Sequence, residues 1–163
     1  MTQQVYISDT NIWIDFRNAG LLDAMFGLPF TLCCTDFVLD ELKDFDHKHL
    51  HRRGLVVKAF DEEATATLFT VMQAHNNSSL ADVSCYQLAR QTGYALLTGD
   101  GRLRKQAKAD GLQVHGALWL LDQIVAYEVV QPKDAARGLR SMLDAGSRLP
   151  AAECQERLAV WAI

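Results

Sequence analysis

Short apolar runs and stretches of helical periodicity alternate along this chain, and the alternation predicts strands that hand over to helices. The first run, Val5-Tyr6-Ile7-Ser8, stops on Asp9, and the helix that follows carries Ile12, Trp13 and Phe16 until Gly20 ends it. Residues 30–34 read as a second, buried strand. A helix opening near Thr35 or Asp36, both good N-caps, places Val38, Leu42 and Phe45 on one stripe, with Glu41 inside it and Asp40 and Asp44 on the opposite flank. A carboxylate buried alone is expensive, so Glu41 requires a partner.

The polar, basic segment 47–53 ends at Gly54 and leads to a short strand at 55–60. Asp61 caps a helix that runs through His75; the loop Asn76-Asn77-Ser78-Ser79 then opens a helix at 80–92, closed by Gly93. Asp82 lies in its first turn and shares a face with Cys85, Tyr86 and Ala89. Residues 94–98 form a strand that again stops at a carboxylate, in Gly99-Asp100, before a helix at 103–109 that carries Arg104, Lys105 and Lys108, with Arg102 just ahead of it. A strand at 112–115 and a helix at 117–127 complete the alternation, which predicts an α/β fold: three layers, a central mostly parallel sheet flanked by helices. The last third, helices at 132–145 and 151–161, reads as a C-terminal helical hairpin without candidate catalytic residues. The expected organisation is a catalytic-type domain over 1–128 with a helical extension, 129–163, packed on it.

Composition adds bounds. The chain has 163 residues, 49% hydrophobic and 22% charged, which suits one globular domain. A formal net charge of -4 means that affinity for nucleic acid must come from local basic patches. Cys33, Cys34, Cys85 and Cys154 contain no CxxC pair and read as buried, reduced thiols, in keeping with a cytoplasmic protein. The amino terminus has no basic leader, and the apolar stretch 117–126 carries Asp122 and Gln123, so a soluble protein with no membrane role is expected. His47, His49 and His51 would share a face if they lay on a strand, but Lys48, Arg52 and Arg53 oppose a cation there, and a solvated or phosphate-contacting patch fits better.

In an open parallel sheet the ligand crevice lies outside the carboxyl ends of the strands, where Asp9 and Asp100 both stand. The motifs Ile7-Ser8-Asp9-Thr10-Asn11, Val38-Leu39-Asp40-Glu41-Leu42, Leu80-Ala81-Asp82 and Leu97-Thr98-Gly99-Asp100-Gly101-Arg102-Leu103-Arg104 resemble, in order and spacing, the four acidic motifs of PIN-domain ribonucleases. The resemblance spans residues 5–124. It implies that Asp9, Glu41, Asp82 and Asp100 form a metal-binding catalytic cluster, with Thr10 and Thr98 as supporting hydroxyls. It implies Mg2+ or Mn2+ as cofactor and RNA as substrate, cleaved to leave a 5′-phosphate and a 3′-hydroxyl. Arg102, Arg104 and Lys105, directly after Asp100, are the expected substrate-binding residues. Many relatives are VapC-type toxins with an antitoxin protein, and others stand alone; the C-terminal hairpin resembles the solitary kind. A homodimer is also compatible with the family.

Charge explains why such a site needs a cation: carboxylates gathered within a few ångströms repel by several kcal/mol at an effective dielectric of about 20, and one would otherwise keep a proton near neutral pH. All-oxygen donors select a hard ion. The rival readings are a catalytically silent PIN module that binds RNA or a protein partner, and a receiver-type phosphoryl-transfer domain. A receiver wants paired acids after the first strand, whereas Thr10 follows Asp9, and a silent module would be expected to lack an acid.

Overall fold

The computed structural model describes residues 4–75 and 77–162; Asn76, expected in the loop before the central helix, lies outside the described residues. The elements follow in the order β1 (Val5–Ser8), α1 (Thr10–Asn18), α2 (Leu22–Met25), β2 (Thr31–Thr35), α3 (Asp36–Glu41), α4 (His47–Arg53), β3 (Val56–Lys58) and α5 (Glu62–Met72). Then come α6 (Leu80–Thr92), β4 (Ala95–Leu97), α7 (Gly101–Ala109), β5 (Val114–His115), α8 (Ala117–Ala126), α9 (Pro132–Asp144) and α10 (Ala151–Trp161). The strands form one sheet in the order β3-β2-β1-β4-β5, and every pairing is parallel. The chain builds outward from β1 in one direction and then from β4 in the other. The reversal falls between β1 and β4, so the crevice of this sheet opens at their carboxyl ends.

Register decides what covers each face. Ile7 lies beside Cys33 and Leu96, and Tyr6 beside Leu32 and Ala95, so these two sets point to opposite sides. Thr35, on the side of Cys33, is hydrogen-bonded to Ser84 of α6 at 2.7 Å, whereas Tyr6 packs on Trp119 of α8 with ring centroids 5.3 Å apart. Thus α6, with α5 and α7 beside it, covers one face, and α8, with α2 and α9, covers the other. This is the three-layer α/β arrangement that the sequence pattern predicts. Burial on both faces accounts for the unbroken apolar strands: Ile7, Leu96 and Leu97 have no exposed surface.

Several boundaries differ for local reasons. Helix α3 stops at Glu41, because the Leu42 carbonyl is taken by His47 Nε2 at 2.7 Å, and Leu42 and Phe45 reach the core from a turn rather than from a continued helix. Segment 47–53 is a helix capped by Asp46, whose carboxylate accepts the His49 N–H, not a strand-like run. Its three histidines therefore do not all share a face: His47 and His51 lie one turn apart and His49 points away from them. His49 binds Asp23 at 2.6 Å while His47 binds the Leu42 carbonyl. Helix α7 begins two residues earlier than its apolar positions suggest, since Asp100 itself is the cap. The short α2 has no side-chain cap and gives no sequence signal.

The hairpin lies against the sheet domain. Helix α9 touches α1, α8 and α10, and its Gly138 has no room for a side chain: a Cβ there would lie 2.6 Å from Leu21 Cδ1 and 3.3 Å from the Ala19 carbonyl oxygen. Arg157 of α10 grips Asp122 of α8 through two parallel bonds of 2.8 and 2.7 Å. Ser147, in the α9–α10 loop, donates to Asp15 of α1 at 2.5 Å. All four cysteines are buried and free, and burial pushes the Cys33 and Cys34 thiols up to about 11 and about 12. Among the described residues no helix is long and apolar enough to cross a membrane.

Because Gly138 sets the distance between α9 and α1, Gly138→Val should destabilise the protein by about 1–3 kcal/mol through overpacking, even though a valine is the better helix former of the two. Urea denaturation of the two proteins measures this. An equal or higher midpoint for the variant would show that α9 is free to move outward.

Candidate functional site

Each parallel strand must pass into a helix at its carboxyl end, and the first turn of that helix needs an acceptor for its free N–H groups. At β1 and β4 the acceptor is a carboxylate. Asp9 is the N-cap of α1: its Oδ1 accepts the Ile12 N–H at 3.0 Å, while its own N–H stays in the sheet, bonded to the Leu97 carbonyl at 3.0 Å. Asp100 caps α7 in the same way, its Oδ1 accepting the N–H groups of Arg102 and Leu103 at 2.9 and 3.1 Å.

One hydroxyl ties the two caps together. Thr98 donates to Asp9 Oδ2 at 2.7 Å and accepts the Asp100 N–H at 3.0 Å, and the Gly99 N–H adds a bond to the same Asp9 oxygen at 3.1 Å. Asp9 and Thr98 are 0% and 1% exposed, so these bonds carry the full burden of replacing water. Ser78 donates to Asp100 Oδ2 at 2.7 Å from the loop before α6.

Asp82 arrives from the opposite layer. It is the third residue of α6, and its N–H is capped by Ser79 at 3.0 Å, an S-x-x-D start that is visible in the sequence. Glu41 is placed differently from the sequence expectation: it is the last residue of α3 and exposed, not packed under the helix. Its partner is Thr10, whose hydroxyl donates to Glu41 Oε1 at 2.6 Å. Asp40 is exposed and makes no part of this network.

Electrostatics show that the four acids share one neighbourhood. Burial raises the Asp9 carboxyl to about 6 against the pull of its Thr98, Ile12 and Gly99 hydrogen bonds. Asp82 is raised to about 7, first by burial and then by the negative charges of Asp9, Asp100 and, more weakly, Glu41. Asp82 thus feels all three of the others. Ser78, Ser79 and the Thr35–Ser84 pair are contributors that the motif pattern omits. Ser79 is legible from its spacing to Asp82, whereas Ser78 meets Asp100 only through the tertiary fold.

Among the described residues no three His, Cys, Asp or Glu side chains form a ready metal cage. The oxygens of Asp9 and Asp100 are turned to backbone and hydroxyl donors instead. The donor set nevertheless fits a hard divalent cation: it is all oxygen, and two of its acids are held above their usual range by surroundings that a positive charge would offset. His47 and His49 of α4 are engaged elsewhere, with the Leu42 carbonyl and with Asp23.

The three basic residues after Asp100 diverge. Arg104 is half-buried and lines a groove of about 410 Å³ with Asn11, Asp15, Gly99, Ser147 and Arg148; Gly116 permits this, since a Cβ there would lie 3.1 Å from the Arg104 guanidinium. Arg102 is exposed and faces a smaller cavity of about 210 Å³ with His75, Ser78 and Gln106. Lys105 is exposed and lines neither.

A family model described as a PIN domain matches residues 5–162, a span that runs through α9 and α10. A solved structure, a PilT N-terminus domain protein from the hyperthermophilic archaeon Sulfolobus solfataricus P2, superposes with a TM-score of 0.52 at 16% sequence identity, over 75% of this chain and 94% of that one. At that identity the likeness speaks for the fold. No curated protein matches the chain.

A carboxyl raised on folding makes the native state bind more protons than the unfolded chain, so stability falls as pH rises from the unfolded value towards the folded one. For Asp82 that window runs from about 4 to about 7. His115 acts the other way, since burial and the nearby Arg104 and Lys108 hold its imidazole below the usual range. The clean comparison is therefore between the parent and Asp82→Asn, both in chelator. At pH 8 the variant should be more stable by roughly 2–4 kcal/mol, and the gap should shrink on acidification to pH 5. A gap that is constant with pH would mean that Asp82 ionises freely.

Proposed function

Since the chain belongs to the PIN-domain family, whose members are generally nucleases, we propose that it is a divalent-metal-dependent endoribonuclease. The observation that supports this reading is that Asp9 and Asp100 cap helices at the switch point and share the Thr98 hydroxyl, while the charges of Asp9, Asp100 and Glu41 all help to raise the Asp82 carboxyl. Asp9, Glu41, Asp82 and Asp100 would hold the cation, magnesium or manganese rather than zinc, in keeping with the divalent metals that PIN-domain nucleases generally use. Held by these carboxylates, such an ion would supply positive charge to activate a water and to offset the negative charge developing on the scissile RNA phosphate.

The protein's own groups prepare that arrangement. Three donors fix Asp9 and three fix Asp100, so both carboxylates are held in one orientation before any ligand arrives. Ser79 accepts the Asp82 N–H and also hydrogen-bonds its carboxyl, yet burial and the neighbouring charges hold that carboxyl up at about 7, so a positive charge entering there would favour loss of its proton. Thr10 aligns the exposed Glu41 from the opposite side. Arg104, beside Gly99 and Gly116 at the rim, places a phosphate oxygen without competing for the acids.

Asp9→Asn and Asp100→Asn should each lower RNA cleavage by a factor on the order of 100–1,000 or more, because each removes a charge at the reaction centre. The fold should survive, since asparagine also caps helices. Asp40→Asn, on the exposed flank of α3, should cleave like the parent. Labelled single-stranded and structured RNAs, with magnesium, manganese or chelator, provide the assay; activity that persists in chelator would overturn the metal-dependent reading.

The same reading makes the cation a stabiliser of the native state. Manganese at about a hundred times its dissociation constant should add roughly 2.7 kcal/mol and raise the melting temperature by several degrees, with a smaller rise in Asp82→Asn. Calorimetry showing no change with either magnesium or manganese would contradict a metal site at these acids.

A further inference from the structure

We infer that the α9–α10 loop forms the second wall of the substrate groove and that Arg148 on it holds an RNA backbone phosphate opposite Arg104, an inference that rests on the ribonuclease reading. The groove of about 410 Å³ begins beside the acids, at Asn11 and Gly99, which follow Asp9 and precede Asp100 closely in sequence. Arg104 of α7 and the 145–150 segment both line it. That segment is held in place by two features: Ser147 donates to Asp15 of α1 at 2.5 Å, and Gly138 lets α9 settle on Leu21 and Ala19. The hairpin loop is therefore a fixed wall beside the acids.

The charges on this wall are available. Arg17, Arg53, Arg137 and Arg157 are engaged with carboxylates, whereas Arg104 and Arg148 form no ion pair among the described residues. Asp15, the acid in the lining of this groove, accepts the Ser147 hydroxyl and forms no ion pair with either arginine among the described residues. Two guanidiniums flanking a path that leads to a carboxylate cluster match a polyanion whose backbone must be steered towards repelling acids.

Beyond Arg104 the groove continues into a cavity of about 140 Å³ shared with Leu149 and Pro150, where the rings of His115 and Trp119 are stacked 3.9 Å apart at 11°. Both rings are half-buried. A nucleotide with its phosphate between the arginines would bring its base against the His115 and Trp119 rings at this end of the groove, which Glu153 and Arg157 also line.

The test is fluorescence anisotropy of the full chain with a short, mixed-sequence, single-stranded oligoribonucleotide, in chelator, over a range of salt. Arg148→Glu should weaken binding roughly tenfold and lower the salt slope by about one counterion, as Arg104→Glu should, while Arg148→Lys should restore most of the affinity. Lys133→Glu, the same charge change on α9 outside the groove, should bind like the parent. If the parent binds and Arg148→Glu matches it in affinity and slope, the hairpin is not a groove wall, although the ribonuclease reading stands. Equal losses in Arg148→Glu and Lys133→Glu would reduce the effect to net charge and overturn the assignment. A parent that binds no RNA removes the ribonuclease reading and this inference together.

Discussion

The hydroxyl of Thr98 is shared between two carboxyl-capped helices, and the geometry of the crevice depends on it. It donates to the buried Asp9 and accepts from the backbone of Asp100, so the ends of β1 and β4 cannot shift relative to each other without leaving one of these groups unpaired. A hydrogen bond to a charged group is worth about 1.5–3 kcal/mol, and leaving a buried partner unsatisfied costs more than the bond contributes. Caps elsewhere in the chain use Thr35, Asp46, Asp61 and Ser79. At β1 and β4 the capping oxygen belongs to a carboxylate, Asp9 or Asp100. The same two side chains thus start helices and, by their charge, help to raise the neighbouring Asp82 carboxyl.

The layers divide the labour. One face of the sheet, through α6, brings Asp82 and the serines of its first turn; the other, through α1 and the hairpin packed on it, brings Asp15, Ser147 and Arg148. Negative charge lies at the switch point and the unpaired arginines lie at its rim. A protein of net charge -4 can in this way be locally attractive to phosphate without a basic surface.

Much of this was legible in the chain because periodicity and caps agree. The buried strands ending on Asp9 and Asp100, the helix at 80–92 with its closing Gly93, and the α/β class all follow from patterns in which neighbouring residues supply the whole signal. Departures arise where a distant group intervenes. Glu41 falls on the apolar stripe of an ideal helix, but α3 ends one residue before Leu42 because a histidine five residues on takes the Leu42 carbonyl, and the acid is left at the exposed end. The histidine segment was open to a strand-like reading because its cap, Asp46, lies in a run of acids where no single residue stands out. The groove lined by α7 and the α9–α10 loop could not be read, since Arg104 and Arg148 are far apart in sequence and line it together only in the folded chain.

The cysteines offer a different use of the same architecture. Cys85 has no exposed surface and donates to the Ser8 carbonyl at 3.7 Å, one residue before Asp9, while Cys33 and Cys34 lie in the neighbouring strand. Burial, with the carboxylates of Asp9 and Asp82 nearby, holds the Cys85 thiol well above its ordinary range, so in the native state it is neither accessible nor nucleophilic. Alkylation at Cys85 then requires the sheet to part from α6, and its rate in native buffer would time the opening of the crevice floor without any label being introduced.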